Sequence, residues 1–289
     1  MRWRADTALA VSKGLPAHSQ SGSAEGPAAA LQIVLSETVN NDHKLLSMID
    51  ETKNSDGYRA FHAPRYQYLL RMLESLGVNA QARILDIGPS HFTELARAKF
   101  CARVDTLGFG EDHKGSHGDH YEFDLNRAQK DEDWRRDLPQ YDVIVMAEVL
   151  EHLYVAPQLA LAFVKSMLVP RGHLVIQTPN AASITKRIRL LIGKNPYEMI
   201  RADPQNPGHY REYTAAELRE LVRGLGFVVD RVETASYFDA RCIHDAQGRL
   251  VRHSAIGALK NFVYRYLPGP LRHGITCVLH VDGSASSEA

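Results

Sequence analysis

The sequence predicts an α/β fold, a mostly parallel sheet with helices packed on both of its faces. Three observations predict it. Short, nearly continuous apolar runs at 83–87, 141–146 and 173–177 read as strands buried on both faces. Between them lie segments with apolar residues at helical spacing, such as Leu69, Leu70, Leu73 and Leu76, or Leu218, Leu221, Val222 and Leu225. The two kinds of segment alternate, which calls for crossover connections and therefore for parallel strands. With 289 residues, 44% of them hydrophobic, the chain can bury a sizeable core.

Taken in order, residues 1–40 begin with an Ala-, Ser- and Gly-rich stretch without a sustained period, and read as a disordered or loosely attached extension. A helix runs from about Tyr58 to a stop at Gly77. The first strand, 83–87, ends at Gly88-Pro89, and 93–100 forms the returning helix. The second strand is 102–107, and a short third is 121–123. Residues 141–146 are the clearest strand. The helix after it carries Leu159, Phe163, Val164 and Met167, and Pro170-Arg-Gly172 turns the chain into the strand 173–177. Thr214 and Glu217 have the spacing of a capping box, and Gly226 ends the helix they open. Residues 227–232 and 275–281 read as the last two strands. No internal repeat is visible. The central domain is thus expected over 41–235, with a long connection at 181–210 that reads as a substrate lid, and a C-terminal extension over 236–289 that includes the last strand. Arg187, Arg189, Arg201 and Arg211 make the long connection the candidate for substrate recognition.

Composition excludes several classes. Net charge is zero, so the average surface is not that of a DNA-coating protein. Three separated cysteines without a C-x-x-C pair argue against a disulfide framework or zinc ribbon and for a reducing compartment. No apolar run approaches the roughly 20 residues of a membrane span. Arg2 and Arg4 are not followed by the apolar region of a secretory signal, so a cytoplasmic location is expected. Charge is uneven: 111–137 is acid-rich, while 186–201 and 241–272 are basic, which suits either solvated faces or a surface beside an anionic substrate. Leu259, Phe262, Val263 and Tyr266, interleaved with basic residues, read as core packing or a lid ahead of a helix on a membrane surface. His113, His117 and His120, near Asp112 and Asp119, read as a solvated loop ahead of a metal site.

In such a sheet ligands sit beyond the C-terminal strand ends. Asp86 and Gly88, Gly108, Asp124, Glu148, and Thr178 with Asn180 occupy those ends. A glycine after the first strand lets backbone approach a ligand, and the following helix N-terminus offers N–H groups. The G-x-G-x-x-G pattern is missing, since Ser90 and Phe92 stand where further glycines are expected, and no Gly-Lys-Ser/Thr marks a P-loop.

Ile84-Leu-Asp-Ile-Gly88, Phe123-Asp-Leu125, the run 141–153 with its Glu-Val-Leu-Glu-His motif, the run 168–180 and Gly208-His-Tyr-Arg-Glu-Tyr-Thr214 stand in an order that resembles the class I S-adenosylmethionine-dependent methyltransferases. The resemblance covers about 58–232. It implies a Rossmann-like, seven-stranded sheet whose last strand is antiparallel, with S-adenosylmethionine as cofactor. It places Asp86 near the amino and sulfonium end of that cofactor, with the backbone of Gly88, Pro89 and Ser90 in contact. It also makes Asp124 the acceptor of the adenine amino group and Leu125 a backbone donor. A helix N-cap is the other reading of Asp124. Where the family carries an acid for the ribose this chain has Gly108, so Glu111 takes the part, with Asp105 the poorer candidate inside the strand. Phe92, in place of a glycine, is a departure that leaves the path of the loop open.

Glu148, Glu151 and His152 stand at i, i+3 and i+4, the spacing that aims three side chains one way if a helical turn begins there. Three readings are open: a polar cluster that shapes the pocket; His152 as general base with Glu148 beside it; and a divalent-metal site. The third follows from a further resemblance, to the small-RNA 3′-terminal 2′-O-methyltransferases and the ubiquinone-pathway O-methyltransferases. It implies that Glu148, Glu151, His152 and His209 hold Mg²⁺, Mn²⁺ or Zn²⁺, a ligand set that suits these ions. The expected activity is transfer of a methyl group from S-adenosylmethionine to an oxygen of a small-molecule, glycan or lipid-linked acceptor. The alternatives are a metal-assisted RNA 2′-O-methyltransferase, with nucleic acid not favoured, and a non-catalytic binding module on the same fold. Positioning supplies most of the catalysis in such a transfer, and deprotonating the acceptor is the task left over.

Overall fold

The computed structural model describes residues 57–203, 207–244 and 250–283. The expected extension at 1–40 and the start of the 41–235 domain lie outside them. Helix α1 (Gly57–Ser75) leads to β1 (Arg83–Ile87), α2 (His91–Phe100), β2 (Arg103–Gly108) and β3 (His120–Glu122). Then follow β4 (Tyr141–Ala147), α3 (Pro157–Ser166), β5 (Leu168–Pro179), α4 (Ile184–Leu191), α5 (Ala215–Gly224) and β6 (Phe227–Ala235). A hairpin of β7 (Cys242–His244) and β8 (Leu250–His253), helix α6 (Ala255–Arg265) and β9 (Gly274–Val281) complete the chain. Seven strands form one sheet in the order β3-β2-β1-β4-β5-β9-β6. All neighbouring pairs are parallel except those of β9, which is antiparallel to both β5 and β6.

The strands separate two cores by alternation. Leu85 and Ile87, Ile144 and Met146, Leu174 and Ile176, and Cys277 and Leu279 face a layer that includes α3 and α5. Ile84, Val143, Val145, Val175 and Val278 face the layer of α1 and α2. Helix α1 stops where the apolar period predicts: Gly77 takes φ +76, and the Val78 N–H bonds back to Leu73 O. From β1 the chain winds outward through β2 and β3, then returns to β4 on the other side of β1. The topological switch therefore lies between β1 and β4, where a ligand crevice is expected.

Several expectations need correction. Strand β5 is longer than 173–177, because it runs on through the turn at Pro170-Arg-Gly172, with Arg171 at φ +64. The hairpin β7–β8 has no counterpart in the sequence reading. His120 is not part of a solvated loop: it is buried, bonds Thr106 through Nδ1 at 2.8 Å, and stacks on His113. The apolar residues of 255–271 do not enter a core. Among the residues of α6 only Gly257 is buried, while Leu259 and Phe262 are more than 60% exposed. No helix among the described residues is long and apolar enough to cross a membrane.

Phe92 is 1% exposed and packs with the α1–α2 layer, so its ring turns away from the switch point and cannot plug it. Phe92→Ala is expected to destabilise the fold by about 3–5 kcal/mol, the range for deleting a buried phenylalanine. Urea unfolding measures this, and a loss under 1 kcal/mol, far below that range, would show that the ring carries little of the packing.

Candidate active site

The rim at the switch point is built by close backbone approach. Gly88 has φ +74, and a Cβ there would stand 2.8 Å from Val149 Cγ2. The loops after β1 and β4 therefore meet only because position 88 is a glycine. Gly108 also has a reason. A Cβ on it would lie 3.1 Å from Pro89 Cδ, so the proline of the first loop sits where an acidic side chain at the end of β2 would begin. Glu111, the substitute for that acid, is exposed on the loop beyond.

Asp86 does not open into the rim. It is 2% exposed and accepts from Thr93 Oγ1 at 2.5 Å, while Thr93 Oγ1 accepts from the Ser90 N–H at 3.2 Å. Ser90 in turn caps α2, accepting from the Phe92 N–H at 3.2 Å. Asp86 thus fixes the loop of Gly88, Pro89 and Ser90 from beneath. Burial is the main cause that pushes its carboxyl up to about 7, with the Thr93 bond and Arg97 and Arg65 opposing. Asp124 caps a short 3₁₀ turn, accepting from the Asn126 N–H and Nδ2 at 3.0 Å each, and the Leu125 side chain is buried in the core.

Beyond β4 the chain forms a single 3₁₀ turn, Leu150–His152, preceded by Glu148 at φ +57. This is not the helical face the spacing suggested, and it separates the three side chains. Glu148 turns to Arg65 of α1, at 3.5 Å. Glu151 is wholly buried; Thr178 Oγ1 donates to its Oε2 at 2.9 Å, and its Oε1 has no hydrogen-bond partner among the described residues. His152 Nδ1 bonds Gly208 O at 2.9 Å, which fixes the proton on Nδ1 and leaves the Nε2 lone pair 4.0 Å from Glu151 Oε1.

The segment after residue 207 is clamped to the same turn. The Tyr210 N–H donates to Glu151 O at 2.8 Å, and Gly208 accommodates the bend at φ +85. His209 is thereby brought edge-on to His152, with ring centroids 4.7 Å apart, and its Nδ1 bonds Glu212 Oε1 at 2.9 Å. One ligand atom each from Glu151, His152 and His209 lies within 4.8 Å of the others. Glu148 is outside this group, so the four expected ligands become three.

Electrostatics match. Burial raises both Glu148 and Glu151, and Glu151 is raised further by Glu148. Burial lowers His152, and lowers His209 to about 4 with help from His152, so both imidazoles are neutral near pH 7.

A family described as a methyltransferase domain matches residues 36–232. The chain belongs to the methyltransferase-domain family. Family and sheet order together bear out the resemblance to class I S-adenosylmethionine-dependent methyltransferases, make the protein a transferase, and set aside the non-catalytic reading. No curated protein matches the chain. Among solved structures it is similar to a putative methyltransferase from Haloferax volcanii in complex with the Trm112 activator, at 13% identity over 83% of this chain and 95% of that one, TM-score 0.50. A SAM-dependent methyltransferase from Archaeoglobus fulgidus is 18% identical over 74% and 94% of the two chains, TM-score 0.44. The N-methyltransferase NodS from Bradyrhizobium japonicum, in complex with S-adenosyl-L-homocysteine, is 16% identical over 75% and 85%, TM-score 0.42. At these identities the likeness is one of fold.

Two cations beside the candidate site take partners that the sequence reading did not give them. Arg65 is buried in α1, and its signal was a lone arginine four residues before Leu69 on an apolar helix face. Lys186, in the first turn of α4, pairs with Glu212, and burial lowers its ammonium to about 8 against the pull of Glu148 and Glu151. A second group, His173, Asp230 and His280, gathers across β5, β6 and β9, and the bond from His280 Nδ1 to Asp230 Oδ1 at 2.7 Å accounts for its core. Neither the sheet nor the motifs had pointed to it.

Asp86 gives a pH test. In the unfolded methyltransferase its carboxyl titrates near 3.8, and in the folded one near 7. A raised folded pKa means stability present at low pH and lost as pH rises through that interval. Asp86→Asn lacks this loss, so its stability relative to wild type should grow between pH 4 and pH 8 by up to about 4 kcal/mol, at about 1.4 kcal/mol per pKa unit. Urea midpoints of both proteins across that range check it, and a constant difference contradicts it.

Proposed function

We propose that the protein transfers the methyl group of S-adenosylmethionine to an oxygen of its acceptor, and that Glu151, His152 and His209 hold a divalent cation beside that oxygen. The observation that carries the reading is the pair of histidines whose Nδ1 atoms are already engaged, by Gly208 O and Glu212, which leaves both Nε2 atoms free of those bonds, with one ligand atom each of Glu151, His152 and His209 within 4.8 Å of the others and Glu151 Oε1 without a hydrogen-bond partner among the described residues. Such outer bonds orient histidines as ligands. Mg²⁺, Mn²⁺ or Zn²⁺ bound there supplies a Lewis acid that eases deprotonation of a hydroxyl.

On the donor side, the glycine-walled approach of the β1 and β4 loops fits a cofactor that must lie against backbone. Gly88, Pro89 and Ser90 contact its methionine end, and Asp86 acts as a positioning residue through Thr93 and Ser90. Asp124 and the Leu125 backbone serve the adenine, and Glu111 the ribose. The chain between 181 and 210 serves as the lid over the acceptor, since it is anchored at both ends beside the site: Ala181 N bonds Tyr213 O, and Tyr210 N bonds Glu151 O. A lid anchored in this way suits a small-molecule, glycan or lipid-linked acceptor better than RNA.

Lys186 favours a second reading. Its ammonium already sets a positive charge beside Glu212, near Glu148 and Glu151, and in that case His152, neutral through burial, is the general base. Equilibrium dialysis against Mn²⁺ separates the two. The metal reading expects one ion per chain, lost in His209→Ala, together with chelator-sensitive methyl transfer to cell extract. No retained ion and transfer indifferent to chelator would leave the base reading, in which His152→Ala alone lowers turnover by about 10²–10⁴. Titration with S-adenosylmethionine tests the donor, and an absence of both heat and thermal shift would contradict it.

A further inference from the structure

Helices α4 and α6 carry apolar stripes that nothing in the described chain covers. In α4 and its continuation, Ile188, Leu191 and Ile192 recur at helical spacing on one side, and no residue of the helix is buried. Leu191 is 86% exposed and Met199, further along, 84%. In α6, Leu259, Phe262, Val263 and Tyr266 form a second stripe at i, i+3, i+4 and i+7, about half exposed or more. Patches of this kind are rare on surfaces that face only water.

The two helices are tied together near their roots. Asn180, just before α4, donates through Nδ2 to Pro270 O at 3.1 Å and Arg272 O at 2.8 Å, just after α6. Thr178, two residues earlier, holds Glu151. The base of α4 and the segment after α6 therefore meet within two residues of the strand end that holds Glu151. Their charge is one-sided. Residues 255–272 contain Lys260, Arg265 and Arg272 and no acidic residue, although the whole chain is neutral. Residues 184–194 contain Arg187, Arg189 and Lys194, besides Lys186, which is turned to Glu212, and again no acid.

We infer that α4 and α6 dock the protein on an anionic lipid bilayer, with their apolar stripes in the headgroup boundary and their cations against lipid phosphates. An amphipathic helix of apolar stripe and flanking Lys or Arg has the chemistry for that position, and anionic headgroups attract each cation. A second copy of the chain fits less well, because pairing like stripes brings like charges together. Docking is peripheral, as no described helix spans a membrane. Where the methyl-transfer reading holds, docking selects a lipid-linked acceptor; the docking itself does not depend on that reading.

The test is sedimentation of the full-length protein with vesicles of phosphatidylcholine alone or mixed equally with phosphatidylglycerol. The expected result is partition onto the mixed vesicles that falls with salt. Leu191→Asp with Leu259→Asp should weaken it about tenfold, and Arg189→Glu with Lys194→Glu should erase the preference for the anionic lipid. Thermal unfolding of these surface variants should match wild type. No binding to mixed vesicles, equal binding to both kinds, or binding that survives the aspartates overturns the inference. A dimer in light scattering that the aspartates dissociate, without vesicle binding, overturns it in favour of a second copy. The assay needs no turnover, so docking can fail while methyl transfer stands.

Discussion

A carboxylate with no exposure to solvent governs the turn after β4 and the segment clamped to it. Burying Glu151 is costly unless its oxygens and its charge are answered. Thr178 answers one of its oxygens from the end of β5, and the main-chain carbonyl of Glu151 itself receives the Tyr210 N–H. His152 returns the tie by donating to Gly208 O. These reciprocal bonds fasten the segment after residue 207 to the turn after β4, which sets His209 against His152. The second carboxylate oxygen has no hydrogen-bond partner among the described residues. Two neutral imidazoles and the buried carboxyl of Glu151 thus lie within reach of one another. Glu148, forced to a positive φ at the start of the turn, faces Arg65 instead.

The donor half is governed by contact between backbones. With Gly88 against Val149, the loops after β1 and β4 close on each other at the switch point. Pro89 also packs over Gly108, where a Cβ would come within 3.1 Å of the proline ring, so the end of β2 is crowded by the first loop. Asp86, Thr93 and Ser90 lock that loop to the N-terminus of α2. The two halves share the sheet and differ in kind: a preformed backbone surface on one side, a charged and buried constellation on the other.

The layout was legible in the sequence wherever period and punctuation agree. Apolar runs gave the strands, and alternation gave the parallel sheet. Thr214 with Glu217 formed the capping box expected of them. The strand-end rule gathered Gly88, Glu148, Thr178 and Asn180 correctly, since it depends only on topology. Spacing failed at 148–152, because a 3₁₀ turn does not align i, i+3 and i+4 as an α-helix does. It also failed for the apolar stripe of α6, since period alone does not say which surface a stripe meets. The pairings of Arg65 and Lys186 were missed because pairing across distant elements leaves no local pattern, and the path of the loop at Phe92 stayed open because a glycine template says nothing of which way a side chain turns.

The most direct measurement is anomalous scattering from crystals grown with Mn²⁺ and S-adenosylhomocysteine. A single strong peak beside Glu151, His152 and His209 is expected, with the nucleoside along Gly88 and Asp124. A peak elsewhere, or a nucleoside bound away from the junction of β1 and β4, would contradict this expectation.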